Sequence, residues 1–93
     1  MTQNEKVRIC LLHQLVLVGK KMNRQEACYT TPKHMLTLFH FEKNWEHSQQ
    51  SSFQMTWLEK QGFVTQQDKD VEITSGGYQF YAQWAATHLE NQI

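Results

Sequence analysis

Apolar positions recur through the first twenty residues with the spacing of a helix. At about 100° per residue, Val7, Leu11, Leu15 and Val18 line one stripe, widened by Cys10 and Leu17. Ile9, Leu12 and Val16 line a second stripe roughly opposite, with Arg8 and His13 between them. The pattern predicts a helix over residues 1–20. A surface helix carries one apolar face. Two faces mean a helix that is central in the fold or one shared with a second subunit. In a chain this short the shared role is expected, so Ile9, Leu12 and Val16 are the candidate pairing surface.

Residues 19–30 are polar and predict a loop, with a short helical turn near Gln25-Glu26-Ala27. Thr31-Pro32 then reads as a helix start, with threonine as the cap and proline at the first helical position. That second helix is expected over 32–43, with Met35, Leu36, Leu38 and Phe39 on its core side. Ser48 caps a third helix over 48–61, and Gly62 suits the left-handed position just past its end. Phe63-Val64-Thr65 and Val71-Glu72-Ile73 alternate as short strands about a polar tip, Gln66 to Asp70. They predict a hairpin over 63–73. Thr74 caps a last helix over 74–90, with Tyr78, Tyr81, Ala82, Ala85 and Leu89 on its core side. Phe80 and Trp84 lie well round from that side and join the candidate pairing surface.

Composition narrows the picture. The chain has 93 residues and 40% hydrophobic content with little proline or glycine, which fits one folded, mostly helical domain over 1–93. Nine basic residues balance nine acidic ones, so no global field draws in nucleic acid. The distribution is uneven. Residues 1–47 carry seven basic and four acidic side chains, and residues 48–93 carry two and five. No signal peptide and no membrane-length apolar run is present, so a cytoplasmic location is expected.

The candidate chemistry is sparse. Cys10 and Cys28 do not make a disulfide framework. Cys10 and His13 are spaced as two ligands on one helix side. No third ligand stands at a matching spacing, so a packing role is expected and neither metal nor cofactor is predicted. His34, His40 and His47 recur along the second helix and the following turn, as phosphate contacts, a pH-sensitive patch or plain solvated residues. Ser75-Gly76-Gly77 resembles a phosphate cradle, but helix capping accounts for it. No nucleophile triad or carboxylate pair appears, so no catalytic residue and no enzyme are predicted.

The segment Ser48, Ser51-Ser52, Leu58-Glu59-Lys60, Gly62-Phe63-Val64, Ile73-Thr74 and Gly77 resembles the third helix, hairpin and following helix of winged helix-turn-helix transcription regulators of the MarR, ArsR and PadR kind. By motif the resemblance covers about a third of the chain, and by element order most of it. It implies a mainly α fold with a small β-hairpin, in the order α-α-turn-α-β-β-α. It also implies a homodimer that binds double-stranded DNA, with the third helix in the major groove and the hairpin as a wing. Met55 and Leu58 would face the core with Ser51 behind them. Gln49, Ser52, Phe53 and Thr56 would face the bases, where Gln suits adenine and Thr a thymine methyl. Lys60, Lys69, Lys33 and Lys43 would meet phosphates. Size and the lack of a sensor domain suit a phage, prophage or mobile-element regulator. This sequence departs from those regulators in two places. Its wing tip is Asp68-Lys69-Asp70, and its third helix shows Phe53 and Trp57 where Arg or Lys is usual. Those departures support an alternative, a winged-helix module that binds protein through the aromatic pair and the acidic wing. A third reading places Phe53 and Trp57 in the core.

Overall fold

The computed structural model describes residues 2–39 and 47–88, apart from the side chains of residues 32, 36, 47–49 and 88. Four helices and three strands follow in the order α1 (Gln3–Leu17), β1 (Lys21–Asn23), α2 (Arg24–Phe39), α3 (His47–Lys60), β2 (Val64–Gln67), β3 (Asp70–Ile73) and α4 (Ser75–His88). The protein is mainly helical, with one small antiparallel sheet in the strand order β1-β3-β2. No described helix is long and apolar enough to cross a membrane.

Thr2 caps α1 by accepting from the Glu5 amide at 3.2 Å. The helix ends on Gly19, in the left-handed region at φ 91°, with the Lys20 amide returning to the Leu15 carbonyl at 2.7 Å. Both stripes of α1 are covered within one chain as far as Leu15, because α2, α3 and α4 all pack on it, while Leu17 and Val18 at its end stay exposed. Ile9 and Leu12 are accordingly buried. The expectation that they pair two subunits is corrected: α1 is the central helix. Val16, Phe80 and Trp84 keep part of their surface but also pack on the same core.

The stretch expected as a loop over 19–30 contains β1 and the first two turns of α2. The helix begins eight residues before Pro32, and its cap is Asn23, whose Oδ1 accepts from the Glu26 amide at 3.1 Å. Thr31 is no cap. It is fully buried inside α2. The buried amide of Gln14 on α1 donates to the Ala27 carbonyl at 2.5 Å and to Thr31 Oγ1 at 2.8 Å, and accepts from Thr30 Oγ1 at 2.5 Å. A buried amide with all these partners costs little and fixes the register of α1 on α2. Residues 40–46, which include the end of the expected second helix, lie outside the described residues.

The inner side of α3 follows the expected pattern, with Ser51, Met55 and Leu58 all fully buried. Gly62, at φ 79°, ends the helix, and the Phe63 amide returns to the Leu58 carbonyl at 2.9 Å. The Phe63 carbonyl then accepts from the Thr74 amide at 3.0 Å. Thr74 Oγ1 donates to the Gly62 carbonyl at 2.6 Å and accepts from the Gly77 amide at 3.1 Å. These bonds clamp the start of α4 against the end of α3. A Cβ on Gly77 would run into the Phe63 carbonyl and stand 2.9 Å from Ile73 Cγ1, so the close approach requires glycine. Val64, Val71 and Ile73 turn inward from the sheet, and the hairpin reverses through Asp68-Lys69 with Asp68 at φ 55°.

Candidate nucleic-acid interface

The outward side of α3 carries Ser52, Phe53, Thr56 and Lys60, with Glu59 at one edge. Helical spacing puts these positions on the side opposite Met55 and Leu58. Ser52 and Lys60 are exposed, Thr56 is half-buried, and Phe53 is 76% exposed. Gln49 shares this register, but its side chain lies outside the described residues, as does Lys43 altogether. Lys33 stands exposed on α2, and Lys69 at the tip of the hairpin.

Phe53 and Trp57 do not form the expected outward pair. The Arg8 guanidinium from α1 lies 3.7 Å over the Trp57 ring, and Arg8 Nε donates to Gln54 Oε1 at 2.7 Å. Beneath it the rings of Trp57 and Phe63 stand 6.1 Å apart, and Phe63 stacks on Phe80 at 4.8 Å. Trp57 therefore belongs to a half-buried aromatic layer joining α3, the hairpin and α4. Phe53 makes no ring contact with any described residue.

Arg24 is the functional candidate that the sequence reading missed. It is the first residue of α2, where its amide donates to the Lys69 carbonyl at 2.8 Å. Its Nη1 bonds the Glu59 carboxylate and donates to Gln66 Oε1 at 2.5 Å. Its Nη2 reaches Thr56 Oγ1 at 3.0 Å and the Ser52 carbonyl at 3.5 Å. One guanidinium thus joins the start of α2, the outer edge of α3 and the first strand of the hairpin. A cation in the first turn opposes the helix dipole. That unfavourable placement, inside the Asn23-x-x-Glu26 cap motif, is a local hint in the sequence, but it does not reveal the partners.

Between these elements runs a groove of about 850 Å³, lined by Arg24, Glu26, Tyr29, Ser52, Gln66 and Lys69 among others. Its charge is mixed. Glu59 holds Arg24, and Lys21 meets Asp70 across β1 and β3 at 3.7 Å, so one acid of the hairpin tip has a cation beside it. Lys60 stands exposed on α3, and Lys69 is exposed where it lines the groove. Cys28 closes part of the groove floor. Burial pushes its thiol up, with Arg24 opposing that shift and Glu59 adding to it.

Away from this face, His13 on α1 shares a 2.5 Å hydrogen bond with the Tyr81 hydroxyl on α4 and meets the His34 ring of α2 at 5.6 Å. Burial first, and His34 second, hold His13 below the usual histidine range, and burial lowers His34 as well. Cys10 is fully buried, and that burial pushes its thiol up to about 12, which keeps it protonated. No group of three or more His, Cys, Asp or Glu stands ready to hold a metal among the described residues. Compared with protein-family models, with curated proteins and with solved structures, the chain gives no match.

Proposed function

We propose that this protein is a winged helix-turn-helix regulator that binds double-stranded DNA as a homodimer, with α3 in the major groove and the β2–β3 hairpin as its wing. The observation that carries this reading is the joint placement of the outward side of α3 and the hairpin. Arg24 latches the two together, and the described part of α2 packs behind α3. Ser52, Phe53 and Thr56, with Gln49 in register, read bases. Lys33, Lys60 and Lys69, with Lys43, hold phosphates.

The electrostatic contribution is small. Arg24 is neutralised by Glu59, so each subunit brings about three or four lysines to the backbone. Counterion release then gives a logarithmic salt slope of roughly −3 per subunit, shallow for a strongly basic reader. Ile9 and Leu12 being buried, pairing falls to the exposed side chains Leu17 and Val18 at the end of α1 and Tyr78 on α4. Fluorescence anisotropy with random and genomic duplexes at low salt tests the proposal, and light scattering tests the pairing. A protein that binds no duplex at low salt is not this regulator.

A specific observation supports a second reading, a winged-helix module that binds protein. Phe53 on α3 and Tyr29 on α2 are both 76% exposed, on a face whose charges nearly cancel. Such rings are common anchors of protein interfaces. Under this reading Phe53→Ala abolishes partner capture and duplex binding is absent.

A further inference from the structure

The commonest specific contact to duplex DNA is an arginine or lysine bonded to the two acceptors of guanine. The outward side of α3 has no arginine of its own. The arginine laid against it is spent internally: Nη1 is held by Glu59 and Gln66, and Nη2 by Thr56 and the Ser52 carbonyl. Lys60 lies in the last turn of α3, at one end of this side. What the middle of the helix offers is a bare phenyl ring at Phe53 and the Ser52 hydroxyl, the Thr56 hydroxyl accepting from Arg24 and donating to the Ser52 carbonyl.

Resting on the DNA reading above, we propose that Phe53 is the specificity-determining residue, and that it selects thymine through the C5-methyl group, with the Thr56 methyl group beside it. The methyl group is the apolar feature that the major-groove edge of a base pair displays. Covering it with a phenyl ring removes apolar surface of both partners from water. Near the same place guanine and adenine present the N7 acceptor, and cytosine a C5–H with its amino group beside it. A phenyl ring bonds none of these, and covering them leaves a polar group unsatisfied. The same ring therefore favours thymine over cytosine by the methyl contact and disfavours the purines by their unpaired acceptor.

The test uses the full chain and a random duplex pool. Duplexes selected from a thymidine pool are remade with deoxyuridine, which differs only in lacking the methyl group. The expected result is selection of thymine-containing sites, and a loss of about fourfold in affinity for each contacted methyl group removed. Phe53→Ala should bind the thymidine and deoxyuridine duplexes equally, and Phe53→Leu should keep most of the preference. Circular dichroism checks that both variants fold, as the exposure of Phe53 leads one to expect. Selected sites that bind equally well with deoxyuridine, or sites dominated by guanine, overturn the thymine assignment and leave the DNA reading standing. A pool that yields no enriched duplex at all overturns both.

Discussion

On the inner side of α3, Met55 and Leu58 are fully buried against α1 and α2. On the outer side of the same helix, Phe53 gives three quarters of its surface to solvent. The inner side is held by packing and by caps at the helix end, all formed within the chain. The outer side holds an apolar ring with no ring of a described residue beside it and a guanidinium tied to a carboxylate. Residues five positions apart in one helix thus answer to different demands. The inner ones serve the fold. Phe53 makes no ring contact with any described residue, and its phenyl ring is left to solvent.

The sharpest way to break this comparison is to empty the inner side. Leu58→Ala leaves a void in the core beneath α3, and should cost about 2–5 kcal/mol in urea denaturation. A loss below 1 kcal/mol would show that the inner side is not the structural one. Gly77→Ala probes the same side from its clamp. The added methyl group meets the Phe63 carbonyl and Ile73, so α4 must back away from the hairpin. A net loss of about 1–3 kcal/mol is expected, visible as a lower Tm.

Acid separates the sides from a distance. His13 and His34 both titrate below the ordinary histidine range in the folded chain. The unfolded chain therefore takes up protons first as pH falls through about 6.5. Stability is full above that pH and is lost progressively below it, down to the lowered folded values. Tm measured between pH 7.5 and 5.5 should fall, and the fall should flatten in His34→Asn, which removes one of the two facing rings. An identical profile in that variant would remove the histidine pair as the cause. The smallest effect belongs to the outer side. Phe53→Ala should change stability by no more than about 0.5 kcal/mol, while altering whatever the surface binds. A large stability loss would place Phe53 with Met55 after all.

The legible parts of the fold were the local ones. Gly62 past the end of a helix, Thr74 at the start of the next, and the spacing of Ser51, Met55 and Leu58 each carry their signal within a few residues. The strand β1 did not, because Lys21-Met22-Asn23 is short and mostly polar and its partner, Asp70 to Glu72, stands some fifty residues on. The true start of α2 was visible as Asn23-x-x-Glu26 but was outcompeted by Thr31-Pro32, whose threonine is buried by a glutamine from α1. Periodicity revealed both stripes of α1. It carries no information on whether a second stripe is covered by the same chain or by another, and here the same chain covers Ile9 and Leu12. At the candidate interface, Ser52, Phe53, Thr56 and Lys60 were legible from helix phase. Arg24 was not, since its side-chain partners lie 28 to 42 residues away.

Each strand of the hairpin is four residues long. So short a ribbon is marginal by itself, and its tip would sweep a wide arc if tethered only at its base. Two restraints forbid that arc: β1 pairs with β3, and the Arg24 guanidinium joins Gln66 of the hairpin to Glu59 and Thr56 of α3, so swinging the hairpin away means breaking the β1 ladder and one side of that fork. The angle between helix and hairpin is thus set at folding. A partner meeting this face finds a fixed template and need not order it, and the entropy that commonly weakens a first encounter has already been surrendered.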